Sequence, residues 1–120
     1  MSSPCRDKNI RISPAPGRVT VSFGGRTIAD TRHALNLDEP GAPLRIYIPR
    51  GDVDTAFLVA SDLHTTCPYK GEASYYSLQS AGELAPDAVW YYPDPCALVA
   101  PIKDHLAFWG GQIRYDTAAA

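Results

Sequence analysis

The sequence predicts a mainly β protein (α+β, with one or two short helices), folded as a compact antiparallel tent or partly open barrel. Three observations carry that expectation. Eleven prolines and nine glycines in 120 residues punctuate the chain at short intervals, which favours short strands and many turns. Several segments alternate apolar and polar side chains with the period of two that half-buried strands require. No β-helix-β alternation of suitable length occurs, so a doubly wound nucleotide-binding sheet is not expected.

Residues 1–16 read as a flexible N-terminal arm: polar, with Pro14 and Pro16 and no sustained periodicity. Residues 17–117 read as a single β-rich domain, and 118–120 as a frayed tail. Arg18–Phe23 is the first clear strand, Gly24-Gly25 a two-residue turn, and Arg26–Asp30 the returning strand of a hairpin. A linker, Asp38–Pro43, leads to Leu44–Ile48, where Leu44, Ile46 and Ile48 share a face. Pro49-Arg50-Gly51-Asp52 breaks that strand, and Asp52 is expected to cap a short helix through about Ser61. A loop, Thr66-Cys67-Pro68-Tyr69-Lys70-Gly71, follows. Ser74–Leu78 and Ala88–Tyr92 are further strands, with Gln79–Asp87 joining them. Cys96–Ile102 starts a helical turn that Pro101 stops. His105–Trp109 and Gln112–Tyr115 are expected to close the domain as a hairpin around Gly110-Gly111.

Composition narrows the function classes. Eleven basic against thirteen acidic residues give a net charge of −2, and no segment concentrates Lys and Arg, so a nucleic-acid partner is not expected. The longest apolar runs fall far short of the ~20 residues of a membrane span. The first eight residues contain no apolar segment and do not resemble a signal peptide, so the expected location is cytoplasmic. Three cysteines (Cys5, Cys67, Cys96) without C-x-x-C spacing argue against a disulfide framework and a four-thiolate zinc site. Reduced thiols are expected, with no metal and no cofactor.

The central loop concentrates chemistry. Pro68 keeps Cys67 extended, and Lys70, three residues on, could bring its ammonium near the sulfur. A nearby cation raises the thiolate fraction of a cysteine, which makes Cys67 and Lys70 candidate catalytic residues, with His64 or His105 as a base. The opposing reading is a small buried side chain beside a structured turn, with Lys70 paired to Glu72 or Asp62. Asp52-x-Asp54 has the spacing of a magnesium-binding pair but suits a helix N-terminus better. No phosphate-loop motif exists. Aromatics cluster at Tyr75-Tyr76 and Trp90-Tyr91-Tyr92. Strand alternation puts Trp90 and Tyr92 on one face and Tyr91 on the other, so one set belongs to the core and the other to a pocket wall or interface.

These residues resemble the domain of unknown function 427 family, which carries a nucleotidyltransferase label in some domain collections. The resemblance runs from about Arg18 to Tyr115. It rests on Ile48–Val53, on Thr66–Tyr76 with its C-P-Y-K-G core, on Asp87–Pro95 with its W-Y-Y-P core, on Ile102-Lys103, and on Ala107–Trp109. Asp104 departs from the pattern, since family members often have a glycine turn there. The resemblance implies a compact tent-like β fold and no particular activity. The transferase label meets no metal-binding carboxylate pair in this chain.

The functional expectation is a pocket between the TTCPYKG loop and the WYYP strand that holds a small polar or anionic ligand. Its candidate ligand-binding residues are Tyr69, Lys70, Tyr76, Trp90 and Tyr91. The alternatives are an enzyme using Cys67 and Lys70, by transferase-like or thiol chemistry, and a non-catalytic interaction protein, for instance a homodimer built on exposed aromatics.

Overall fold

The computed structural model describes residues 5–118. Its strands, numbered in chain order, form two sheets. In one, β1 (Arg11–Pro14), β4 (Leu35–Asp38), β5 (Arg45–Pro49), β9 (His105–Phe108), β8 (Glu83–Tyr91), β7 (Gly71–Ser80) and β6 (Leu58–Cys67) lie side by side in that order. In the other, β2 (Arg18–Phe23) lies between β10 (Ile113–Ala118) and β3 (Arg26–Thr31). Every pairing is antiparallel and neither sheet closes into a barrel, so the fold is mainly β, as the sequence implies. Helical structure among the described residues is confined to 3₁₀ turns at Arg50–Asp52, Thr55–Phe57 and Ala97–Ile102.

The alternation of each strand explains the layering. Val19, Val21 and Phe23 of β2, with Ile28 and Ala29 of β3, point at one face of the large sheet. There they meet Ile48, Leu78, Val89, Leu106 and Phe108 in the larger core. Residues an odd number of positions away face the opposite side: Tyr47, Ala73, Ala107 and, just past β8, Tyr92. The turn at Ala97–Ile102 covers that second face with Val99 and Ile102, and Ile10 and Ile12 pack beside them. The large sheet therefore has a closed face against the small sheet and a second face only partly roofed by chain segments.

The Gly24-Gly25 hairpin forms as expected. Both glycines have positive φ (57° and 82°), the combination a type I′ turn demands. Several other expectations are corrected. The segment 5–16 is not a free arm: β1 pairs with β4 through Arg11↔Asp38 to Pro14↔Leu35, and the Arg6 N–H donates to Pro68 O at 2.9 Å. Met1–Pro4 of that expected arm, and Ala119 and Ala120 of the expected tail, lie outside the described residues. Ala118 is not frayed but pairs with Arg18.

The helix expected from Asp52 to Ser61 is absent. Asp54, not Asp52, accepts from the Ala56 N–H, and it caps a single turn before β6 begins at Leu58. β6 is an edge strand, largely exposed, so it lacks the alternation that betrays a half-buried strand. Three of its residues, Ser61–Leu63, bulge between the pairs Ala60↔Tyr76 and His64↔Ser74. The expected Gln79–Asp87 connection is mostly strand: Ala81-Gly82 makes the turn between Ser80 and Glu83. Pro86 is tolerated there because Pro86–Ala88 bulge opposite Ser77.

The expected C-terminal hairpin is replaced by a crossover. β9 sits between β5 and β8, whereas β10 leaves to join β2 in the other sheet. Tyr115 secures that crossing. Its hydroxyl donates to Ile46 O at 3.1 Å and accepts from the Phe108 N–H at 3.0 Å, and burial pushes its pKa up.

The three cysteines are not all reduced. Cys5 and Cys96 form a disulfide across 91 positions, and Cys67 is the free thiol. An odd cysteine count leaves room for one bridge, and the spacing of Cys5 and Cys96 carries no signal of it.

Candidate ligand-binding site

The partly roofed face of the large sheet contains a cavity of about 390 Å³, within the range of small-molecule sites. Its floor follows from strand alternation. Tyr47 of β5 and Trp90 of β8 face the same side, and the Trp90 indole N–H donates to the Tyr47 hydroxyl at 3.1 Å. Tyr75, the partner of Trp90 across the ladder, and Tyr92, two residues on, complete the floor. Burial pushes the Tyr47 phenol up to about 12 and raises Tyr92 further in the same direction, so both stay protonated at physiological pH. Tyr92 is 5% exposed, and its hydroxyl has no hydrogen-bond partner among the described residues.

One wall is the tip of the β6–β7 hairpin. The expected TTCPYKG loop is a strand end and tight turn: Cys67 pairs with Gly71, and the Lys70 N–H donates to Cys67 O. Gly71 adopts φ 113°, and a Cβ there would lie 3.3 Å from Asp94 O and 3.7 Å from Cys96 Sγ. Only glycine lets the tip settle this closely on Pro93–Cys96, where the Cys96 N–H donates to Lys70 O at 2.9 Å. Lys70 is thereby held at the cavity, where its ammonium binds Glu39; Lys8 reaches the other Glu39 oxygen at 3.0 Å. The pairing anticipated for Lys70 with Glu72 or Asp62 is not the one formed. Burial alone would raise the Glu39 pKa, but the bonds and charges of Lys70 and Lys8 outweigh it and hold the carboxyl below its ordinary value.

The opposite wall carries Arg45. Its guanidinium carbon lies 4.4 Å from the centre of the Trp109 ring and 5.5 Å from that of Trp90. No carboxylate among the described residues pairs with it. Arg45, Tyr47 and Glu39 are cavity residues that the sequence reading did not single out, while Tyr92 entered only as sharing a face with Trp90 and Trp109 only through the resemblance. For Arg45 and Tyr47 the signal was present in Leu44–Ile48: with Ile46 and Ile48 on the core face, these two must share the other.

The sequence candidates separate into four places. Lys70 and Trp90 come together in the cavity. Tyr69 lies outside it, beneath Lys8 at 5.0 Å, next to a crevice of about 60 Å³. Tyr76 and Tyr91 are on the reverse face of the sheet, stacked on each other at 5.0 Å. Cys67 does not line the cavity but packs among the apolar residues beside it. His64 is an odd number of strand positions from Cys67, so it faces the other way, bonded to Ser74. His105 bonds to Lys103 O on β9. Neither histidine is arranged as a base for the thiol. The Asp52-x-Asp54 pair is occupied structurally: Asp52 accepts from Thr31 at 2.6 Å, and Asp54 caps its turn. No cluster of three or more metal-ligating side chains occurs among the described residues. None of the helices described is long and apolar enough to cross a membrane.

Fold and cavity together define a small antiparallel β protein with a ligand-sized, aromatic-floored pocket on one face of its main sheet. The chain belongs to the family described as Domain of unknown function (DUF427), whose model matches residues 11–118. No curated protein matches the chain.

Proposed function

We propose that the protein is a binding module that holds a small polar or anionic molecule, with a flat conjugated portion, in the 390 Å³ cavity. The observation that carries the reading is Arg45: a guanidinium laid on two tryptophan rings at the cavity wall, without a carboxylate partner. An anionic group of the ligand supplies that partner, and the indole faces accept its ring. Arg45, Lys70 and Lys8 outnumber Glu39 and Asp87 in and beside the cavity, which favours a negative over a positive ligand. The Tyr92 hydroxyl is a further group for a polar substituent. The lining includes no cysteine, serine or histidine, so binding is favoured over thiol catalysis. A cytoplasmic setting belongs to the same proposal, and there the Cys5–Cys96 pair would be reduced for much of its life.

The test is a titration with planar aromatic carboxylates and their neutral amides, followed by the two indole N–H resonances of Trp90 and Trp109. Carboxylates should shift both signals more than the amides do, and Arg45→Gln should weaken them about tenfold, the loss of one charge-assisted contact. Equal behaviour of acid and amide, or an Arg45→Gln variant that binds as well as the parent, would sink the reading.

A further inference from the structure

The reverse face of the sheet holds a second guanidinium in a similar setting. Arg50 follows β5 by one residue, and its backbone is fixed on both sides: its N–H donates to Asp104 O at 2.8 Å, and its C=O accepts from the Val53 N–H at 3.2 Å. The side chain lies over the stacked rings of Tyr76 and Tyr91, with Cζ 5.6 and 4.9 Å from their centres. One of its five N–H groups is used, Nη1 donating to the Tyr76 hydroxyl at 3.0 Å. No carboxylate among the described residues takes the others. The Tyr76 hydroxyl accepts that bond, so its own proton is left to donate.

The sheet register adds further donors. His64, Ser74 and Tyr91 are direct cross-strand partners on β6, β7 and β8, and Tyr76 stands two residues from Ser74 on the same face. Ser74 and His64 are bonded to each other at 3.1 Å. Burial would raise the Tyr76 phenol, but its bonds with Arg50 and Tyr91 outweigh it and lower its pKa, which strengthens it as a donor, whereas Tyr91 is raised by burial and by its bond to Tyr76. Arg50, Tyr76 and Tyr91 are each only partly buried, so solvent reaches the group.

We infer that this cluster is a phosphoryl-binding site, with Arg50 taking two oxygens of a tetrahedral anion and the Tyr76 phenol donating to a third. A planar carboxylate is satisfied by the guanidinium fork alone, whereas a phosphoryl group has an oxygen left for the Tyr76 phenol. This site is separate from the cavity. Arg45 and Arg50 are five residues apart on and just beyond one strand and face opposite sides of the sheet, so either site can fail without the other.

The probe is inorganic phosphate, with acetate as the comparison, followed by the Arg50 Nε–H and the ring signals of Tyr76 and Tyr91. Phosphate should move these signals and leave the indoles of Trp90 and Trp109 in place, and acetate should bind more weakly. Arg50→Gln should reduce phosphate affinity about tenfold, and Arg45→Gln should leave it within about twofold. Tyr76→Phe keeps the ring under the guanidinium and removes only the hydroxyl; it should weaken phosphate by roughly three- to tenfold while acetate changes little, and it decides the matter if Arg50→Gln fails to fold. Shifts scattered over the surface cations, acetate binding as tightly as phosphate, or a Tyr76→Phe variant identical to the parent would each overturn the assignment.

Discussion

Reducing the Cys5–Cys96 disulfide should destabilise the protein by an amount that its sequence separation sets. The bridge closes a loop across 91 positions, and the chain-entropy relation then gives about 4.6 kcal/mol of unfolded-state entropy removed at 25 °C. With a urea slope of about 1.5 kcal/mol per molar for a domain of this size, the unfolding midpoint should fall by roughly 3 M on reduction. The assay is urea unfolding of air-oxidised protein, with and without a phosphine reductant, beside a Cys5→Ser variant. The variant should unfold where the reduced parent does and ignore the reductant. Thiol titration of the unfolded oxidised chain should find one reactive group, Cys67, and reduction should raise that to three. Coincident midpoints for oxidised and reduced parent would refute the reasoning: residues 5–10 would then peel away before the domain unfolds, and the loop would not constrain the cooperative transition.

The remaining predictions concern single contacts. Glu39→Gln should cost roughly 1–3 kcal/mol in chemical denaturation, because it weakens bonds to both Lys70 and Lys8 at a partly buried site. Since the Glu39 carboxyl is held below its ordinary value, its contribution is complete above that value and is lost as pH falls through the lowered one. Melting temperatures should therefore drop more steeply into acid for the parent than for Glu39→Gln. Tyr115→Phe should lose about 1–3 kcal/mol in the same assay, as it strips a buried hydroxyl from Ile46 O and the Phe108 N–H. Ala81, at φ 50° in the turn before Gly82, should gain up to about 1 kcal/mol on replacement by glycine. Asp104, at φ 61°, should respond to glycine in the same direction and by less, because aspartate tolerates that conformation better.

The parts of the fold legible in the sequence were those where burial is one-sided. β2 alternates cleanly because one face packs in the core and the other meets solvent, and Gly24-Gly25 marks its turn. The opposite orientation of Trp90 and Tyr91 followed from alternation alone and separates the two faces of the sheet correctly. β6 was hidden because an edge strand exposed on both sides has no reason to alternate. β10 was recognisable as a strand, yet its partner was not, because a short connection after Gly110-Gly111 suits a hairpin as well as a crossover. The cavity was half legible: Lys70 and Trp90 lie in it, whereas Tyr76 and Tyr91 were assigned to the wrong side of the sheet relative to Lys70. Arg45 and Tyr47 were not legible as pocket residues because the alternation of their strand marks its apolar face and leaves the other face without a signal of what lies on it. The resemblance led us to expect a glycine turn at Asp104, and the positive φ of Asp104 is the backbone geometry such a turn uses.

The large sheet is most thinly paired in the middle. β9 meets β5 through only two pairs, Ile48↔Leu106 and Pro49↔His105, and β8 through only two, Val89↔Phe108 and Trp90↔Ala107, against three or more at the other pairings of that sheet. The sheet is thus two more fully paired panels joined along a seam, with Tyr47 contributed from one panel and Trp90 from the other. A molecule resting on both would act as a clamp across the join, and its binding energy would add directly to the resistance of the panels to parting. Amide exchange at Leu106 and Ala107 would then slow in proportion to ligand occupancy, so a tight ligand could be recognised by the stiffness it confers before its chemistry is known.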